Sequence, residues 1–75
     1  FPILQLINGN TDSIIMQTEP QESLICCCCL SEDLKFAAFG QENGAIKVLN
    51  LKLDLENNRK KTFFLKKCHF NDSLQ

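Results

Sequence analysis

Four consecutive cysteines, at positions 26–29, have the greatest capacity for chemistry in this sequence. Thiolates hold zinc when four of them converge in a tetrahedron. Successive side chains of a strand point to opposite faces, so Cys26 and Cys28 would share one face, and Cys27 and Cys29 the other. Because convergence fails on a strand, the pattern predicts small buried side chains packed between neighbouring sheets, with no metal and no cofactor. A metal or redox role is the alternative.

Cys68 and His69 are a second pair that could act together, as a nucleophile and its base. Such a pair needs hydrogen-bond reach and a third group that orients the base. Adjacent residues of a strand diverge, and no recognisable motif supplies an orienting carboxylate. A glycine-rich phosphate loop with its lysine and serine or threonine is not found either. The sequence therefore predicts a protein that is not an enzyme, with no nucleotide site in these residues.

A basic cluster near the end of the sequence is compatible with nucleic-acid binding. Five positive side chains flank two phenylalanines, an arrangement that suits phosphate contacts and base stacking. They are Arg59, Lys60, Lys61, Lys66 and Lys67, around Phe63 and Phe64. The whole chain has a formal net charge of −1, and no nucleic-acid-binding motif accompanies the cluster. We therefore expect a solvated loop and outer strand here, with nucleic-acid binding as a minor alternative.

Size and composition bound the class of protein. A chain of 75 residues, 44% of them hydrophobic, can pack. It is marginal alone, because a chain of this size buries only about 60% of its unfolded surface. Its clustered cysteines do not form the spaced framework of a secreted domain, which indicates a reducing compartment and hence the cytoplasm. No run of about 18 apolar residues and no signal peptide is visible, so no membrane contact is expected.

Short apolar runs separated by turn residues predict an all-β fold. Asn8, Gly9 and Asn10 tolerate positive φ and join the first two runs into a hairpin. The run that contains the four cysteines is continuously apolar, as expected of a strand covered on both faces. The predicted strands are residues 3–7, 14–16, 24–30, 36–39, 45–51 and 62–65, with a loop over 53–61. This spacing is typical of sandwiches and propellers.

Residues 30–51 favour a propeller, because they align without a gap on the WD-repeat consensus. The motif positions are Ser31, Asp33, Gly40, Asn43, Gly44, Ile46, Leu49 and Asn50. Leu49 and Asn50 replace the usual tryptophan and aspartate. Asn43 replaces a second aspartate, and Pro20-Gln21 replaces the glycine-histidine that opens a repeat. The usual hydrogen-bond network that links histidine, aspartate and tryptophan cannot form with these residues. Because Leu49 is apolar, it leaves no buried polar group of that network without a partner.

The resemblance to WD repeats implies a fragment of a β-propeller. Each repeat forms a four-stranded blade of about 40 to 45 residues, so the chain corresponds to about one and a half blades. Residues 1–18 would be the last strands of a preceding blade, 19–66 one divergent blade, and 67–75 the start of the next. Neighbouring blades would then be its packing partners.

A narrower resemblance is carried by four segments in order along the chain. They are Leu-Gln-Leu-Ile-Asn-Gly-Asn-Thr at 4–11, Cys-Cys-Cys-Leu-Ser at 27–31, Phe-Gly-Gln-Glu-Asn-Gly-Ala-Ile at 39–46 and Asn-Asn-Arg at 57–59. Together they closely resemble an early stretch of the second WD-repeat propeller of the apoptotic protease-activating factor family, the scaffolds of the apoptosome. The first segment and the cysteine run are not features of the general repeat. The resemblance weakens after residue 59.

That resemblance implies a cytoplasmic scaffold whose propellers restrain it until they receive cytochrome c, after which a separate nucleotide-binding region drives assembly of a caspase-activating ring. In the family, acidic side chains on propeller loops meet the lysine-rich face of cytochrome c. The turn between the second and third strands of a blade is one source of these acids. Here that turn is residues 41–44, and Glu42 is its acid. Glu42 is therefore the candidate partner-binding residue.

Other interpretations remain open at this point. Glu42 could be an ordinary solvated turn residue, since a single charge is common on any protein surface. The chain could also belong to a general WD-repeat scaffold with unrelated partners. A nucleic-acid-binding or metal-binding module, built on the basic cluster or on the thiols, is the remaining class.

Overall fold

Six β-strands make up the part of the chain that the computed structural model describes, residues 1–53 and 61–69. They are β1 (Pro2–Asn8), β2 (Ser13–Gln17), β3 (Ile25–Leu30), β4 (Phe36–Gln41), β5 (Ile46–Asn50) and β6 (Phe63–His69). Within those residues there is no helix, so the prediction of an all-β chain is confirmed. Most of the predicted loop at 53–61 and all of residues 70–75 lie outside the described part.

The first sheet has the strand order β2-β1-β6 and is antiparallel. Its β1–β2 pair is the predicted hairpin. The connecting turn closes where the Asp12 N–H donates to the Asn8 carbonyl (2.7 Å) and the Asn10 N–H donates to Asn8 Oδ1 (2.9 Å). Asp12 has a φ of 58°, a left-handed conformation that aspartate tolerates better than most residues.

The second sheet has the strand order β3-β4-β5 and is also antiparallel. Its β3–β4 ladder contains a register shift between Ile25 and Cys27. Because of this extra residue, Ile25 and Cys28 both pack against the core although they are three positions apart. Strict alternation along the cysteine run, which the sequence suggested, is therefore interrupted at its start.

The core lies between the two sheets. Leu4 of the first sheet packs with Ile25 and Phe39 of the second. Leu6, also from the first sheet, belongs to a neighbouring cluster with Ala37 and Leu51. Leu4 is only 1% exposed, and Leu6 and Phe39 are 2% exposed. Burial of such side chains stabilises a fold by about 1.5 to 3 kcal/mol each, so these three are its main apolar anchors.

One prediction about the cysteine strand is wrong for the residues described here. The sequence suggested a strand covered on both faces, but Cys26, Cys27 and Cys29 are exposed. Only Cys28 is partly buried, where it packs against the core. The reason is that the described residues supply a second layer to one face of this sheet only. Burial of the other thiols between neighbouring blades stays a prediction about a longer protein.

The position of β6 was not foreseen. It pairs along its whole length with β1, from Pro2 opposite His69 to Asn8 opposite Phe63. The sequence placed a strand at 62–65 as the last strand of the blade over 19–66. Instead each sheet has three strands in the described residues, and β6 runs without a break through the suggested boundary at residue 66. The division into 1–18, 19–66 and 67–75 stays a prediction.

Candidate functional site

The turn between β4 and β5 positions Glu42, the candidate partner-binding residue. The Gln41 N–H donates to the Ala45 carbonyl (2.8 Å), and the Gly44 N–H donates to the Gln41 carbonyl (2.9 Å). Gly44 has a φ of 92°, which a residue with a Cβ rarely adopts. Asn43 Oδ1 accepts from the Ala45 N–H (3.0 Å). The turn is thus held by its own backbone, and the Glu42 side chain is exposed.

A second segment lies against this turn. The Glu42 N–H donates to the Leu24 carbonyl (2.8 Å), and the Asn43 N–H donates to Ser23 Oγ (3.0 Å). These two bonds hold the chain that leads into β3 beside the β4–β5 turn. That chain also carries Glu22, whose side chain is exposed. Two exposed acids, Glu42 and Glu22, therefore lie on neighbouring segments. The sequence predicts a binding role only for Glu42, because the two positions are 20 residues apart and no local pattern connects them.

A buried amide underpins the same site. Gln41 is 7% exposed, and its Nε2 donates to Gln21 Oε1 (3.2 Å) and to the Ser23 carbonyl (3.3 Å). The Lys47 ammonium donates to the same Gln21 oxygen (2.7 Å). Gln21 stands at the position where a WD repeat carries histidine. The hydrogen bonds from Gln41 and Lys47 to Gln21 therefore occupy the place of the histidine–aspartate–tryptophan network, which this sequence cannot form. The sequence signal that could have revealed this network was the presence of glutamine at both position 21 and position 41.

The other motif positions shape the rest of the second sheet. At the opposite end of β4, Ser31 Oγ donates to Asp33 Oδ1 (2.7 Å) and accepts from the Phe36 N–H (3.0 Å). The Lys35 N–H also donates to Asp33 Oδ1 (3.1 Å). These bonds, first that from Ser31 and then that from Lys35, lower the pKa of the Asp33 carboxyl below its ordinary value. Ser31 and Asp33 are therefore structural turn residues.

Leu49 and Asn50 take separate roles at the end of β5. Leu49, in the usual tryptophan place, packs against both core clusters. Asn50 Oδ1 accepts from the Lys52 N–H (3.2 Å), next to a positive φ of 56° at Lys52. Of the remaining motif positions, Gly40 lies beside Cys27 and Ile46 is 79% exposed.

The five thiols lie in different surroundings. No group of three or more histidine, cysteine, aspartate or glutamate side chains within residues 1–53 and 61–69 could hold a metal ion. Burial raises the pKa of the Cys28 thiol, which makes it less nucleophilic. Cys68 Sγ donates to Gln5 Oε1 (3.2 Å), whereas His69 is exposed at the end of β6.

The basic cluster is divided by the pleat of β6. Lys66 lies with Phe64 along a groove on the outer face of the first sheet. Lys67 instead donates to the Cys26 carbonyl (3.2 Å) at the edge of β3. Lys61 is exposed, while Arg59 and Lys60 fall outside the described residues. Among the described members of the cluster, Phe64 and Lys66 thus share a surface on which stacking and a phosphate contact could combine.

The architecture and the site together define a class. Two antiparallel three-stranded sheets, with tight turns between consecutive strands of a sheet and no helix in the described residues, are consistent with a fragment of a WD-repeat propeller. Within the described residues, no helix is long and apolar enough to cross a membrane. No family model matches the chain, and no solved structure matches it.

Comparison with curated proteins adds a particular relative. The chain is similar to a segment of apoptotic protease-activating factor 1, with 55% identity to the Homo sapiens protein and 50% to the Mus musculus protein over 56 residues. The Danio rerio protein is 33% identical over 48 residues. The mammalian alignments cover 75% of this chain, and the chain spans only 4% of the length of these relatives. The resemblance inferred from the sequence is confirmed, whereas the assignment to WD repeats rests on the motif.

Proposed function

We propose that this chain is a non-enzymatic scaffold segment of an apoptosome-type protein, which senses cytochrome c and promotes caspase activation in the cytoplasm. The observation that carries the proposal is the 55% identity to apoptotic protease-activating factor 1 over 75% of the chain. Identity at this level is sufficient for a shared fold and argues for a shared role of the segment. The partner and the activity in this proposal are those of the longer apoptosome-type protein, and we assign them to this chain because of that sequence identity.

The geometry around the β4–β5 turn supports a binding role. Glu42 and Glu22 are exposed on adjacent segments, held in place by the bonds to Leu24 and Ser23. A lysine-rich partner surface would meet these two acids. Each exposed ion pair is worth about 0.2 to 1 kcal/mol, and acids of this kind act mainly on the rate and salt dependence of association. The site is therefore expected to contribute to a larger interface.

The test uses a hybrid protein, in which the 56 residues of the human relative that match this chain are replaced by their counterparts here. Cytochrome c is titrated against the hybrid and its Glu42→Gln variant at low and at moderate salt. We expect the variant to bind about 1.4-fold to 5-fold more weakly and to depend less on salt. Glu32→Gln is the matched control, because Glu32 is an exposed acid in the turn at the other end of β4.

Two outcomes would contradict the proposal at different levels. Unchanged affinity together with an unchanged salt slope for Glu42→Gln would remove this residue from the binding site. A hybrid that folds but fails to bind cytochrome c would remove the assignment of the segment to an apoptosome-type scaffold.

A further inference from the structure

Two asparagine-glycine pairs occur in the sequence, Asn8-Gly9 and Asn43-Gly44. The backbone nitrogen of the next residue can attack the side-chain amide of asparagine, and glycine hinders this attack least because it has no Cβ. In both pairs, Oδ1 of the asparagine accepts a hydrogen bond from the backbone N–H two residues further on (2.9 Å and 3.0 Å). This turn folds the side chain back toward its own backbone. Because the pairs share this local geometry, their surroundings decide which of them reacts.

The surroundings of the first pair oppose the attack. Asn8 is only 9% exposed, and it is paired with Ser13 of β2 and with Phe63 of β6. The Gly9 N–H donates to the Thr62 carbonyl (2.6 Å), and a Cβ added at Gly9 would lie 3.3 Å from that same oxygen. Ring closure would require the Gly9 nitrogen to leave this bond and the Asn8 backbone to rotate. The first sheet therefore holds this pair in an unreactive arrangement.

The second pair lies in the open. Asn43 and Gly44 are both exposed, and a Cβ added at Gly44 would meet nothing within 4 Å. The Gly44 N–H donates within its own turn, to the Gln41 carbonyl (2.9 Å). This turn lies at the ends of β4 and β5 rather than on a sheet face. Sheets stacked against either face of the second sheet would therefore leave the pair accessible to water.

We propose that Asn43-Gly44 is a site of spontaneous deamidation and that the first sheet protects Asn8-Gly9 from the same reaction. The Gly44 nitrogen bonds to Cγ of Asn43, the Cγ–Nδ2 bond breaks, and the amide leaves as ammonia with the Gly44 proton. Water then opens the cyclic imide at either of its two carbonyls, which gives aspartate or isoaspartate. No oxidant or reductant takes part. Either product adds a negative charge beside Glu42, and the aspartate product restores the residue that WD repeats carry at this position.

The experiment incubates the 75-residue chain at mildly alkaline pH and follows both pairs by peptide mapping. Trypsin cuts after Lys35 and Lys47, so the pairs fall on separate peptides, 1–35 and 36–47. We expect deamidation at Asn43 to be about tenfold faster than at Asn8, because each hydrogen bond that must open first slows the reaction by roughly 2-fold to 12-fold. In denaturant the two rates should become similar.

Asn43→Gln is the matched control, because it keeps an amide at this position but its longer side chain closes a cyclic imide far more slowly. The peptide 36–47 of this variant should keep its mass. An isoaspartyl carboxyl methyltransferase should label the peptide 36–47 of the unmodified chain after incubation and leave that of the variant unlabelled. Circular dichroism of both chains verifies the fold.

Three results would overturn the proposal. The first is a peptide 36–47 from the unmodified chain that keeps its mass in buffer, which would show that the turn protects Asn43. The second is similar rates at Asn43 and Asn8 in buffer, which would show that the structure does not select between the pairs. The third is an equal mass gain in the Asn43→Gln variant, which would assign the reaction to another amide of this peptide.

Discussion

At the scale of single residues, the turn between β3 and β4 depends on one carboxylate. Asp33 accepts hydrogen bonds from Ser31 Oγ and from the Lys35 N–H. Both bonds favour the charged form, which is why the pKa of Asp33 lies below its ordinary value of 3.8. The folded state therefore binds a proton at Asp33 less readily than the unfolded state does.

This difference predicts a pH dependence of stability. The contribution of Asp33 is fully present above the unfolded pKa near 3.8 and is lost as the pH falls through the lower folded value. Asp33→Asn should therefore destabilise the hybrid at pH 7 and should do so by a smaller amount at pH 3, below the unfolded pKa. Thermal unfolding at both pH values measures the effect. Glu32→Gln, which removes a neighbouring charge and keeps both Asp33 bonds, should not reproduce it. A destabilisation by Asp33→Asn that is equal at both pH values would contradict the account.

Some site residues could be predicted from the sequence and others could not. Ser31 and Asp33 were found because a turn motif is local, and both act as turn residues in the structure. Gln41 and Gln21 were missed, since their contact joins positions 20 residues apart. Glu22 was missed for the same reason. Only the tertiary arrangement brings such pairs together.

At the scale of elements, the polar network ties the segment before β3 to the β4–β5 turn. Gln41 Nε2 reaches both Gln21 and the Ser23 carbonyl from a buried position. Without the Gln41 side chain, two hydrogen bonds would remain between these segments, from the Glu42 N–H to the Leu24 carbonyl and from the Asn43 N–H to Ser23 Oγ. Those two bonds would then open more often. The network therefore connects the segment that carries Glu22 with the turn that carries Glu42.

Hydrogen exchange tests this role. Gln41→Ala should speed exchange of the Glu42 and Asn43 amides, because each lost hydrogen bond costs about 0.5 to 1.5 kcal/mol, or roughly 2-fold to 12-fold in local opening. The Asp12 amide, in the hairpin of the first sheet, should be unaffected. Gln17→Ala is the matched control, since it removes a side-chain bond to Gln5 in that other sheet. If the Glu42 and Asn43 amides exchange at the same rate in the Gln41→Ala variant as in the unmodified protein, the network has no anchoring role.

The elements themselves were predicted more completely than their arrangement. Hydrophobic runs and turn residues located the strands within a few positions, because both signals are local. The register shift at the start of β3 was not foreseen, since every residue of that run is apolar and either register buries a similar surface. The pairing of β6 with β1 joins the two ends of the described chain, and no local pattern specifies it.

At the scale of the whole molecule, residues 1–53 and 61–69 leave one face of the second sheet uncovered. Phe36, Ile46 and Val48 on the second sheet are 47%, 79% and 65% exposed. β5, which carries two of them, is also an edge strand in the described sheet. Repeat units of this size need neighbours to bury such faces, and at least three repeats are usually required. The separate chain is therefore expected to be marginally stable.

Self-association of the separate chain should follow from this surface. Its apparent mass in sedimentation should rise with concentration, and Val48→Lys should reduce the association by placing a charge on the exposed face. Thr11→Lys, in the hairpin turn of the first sheet, is the control for added charge. A chain that stays monomeric at all concentrations and melts cooperatively would show that it needs no neighbour.

The central claim, that this chain is a working segment of an apoptosome-type scaffold, is tested most directly by caspase activation in the hybrid protein. We predict that the hybrid activates caspases only when cytochrome c is added, as its unmodified human parent is expected to do. Phe39→Asp, which places a charge at a core position that is 2% exposed, should abolish this response. A hybrid with the thermal stability of its parent but no cytochrome c-dependent caspase activation would contradict the claim.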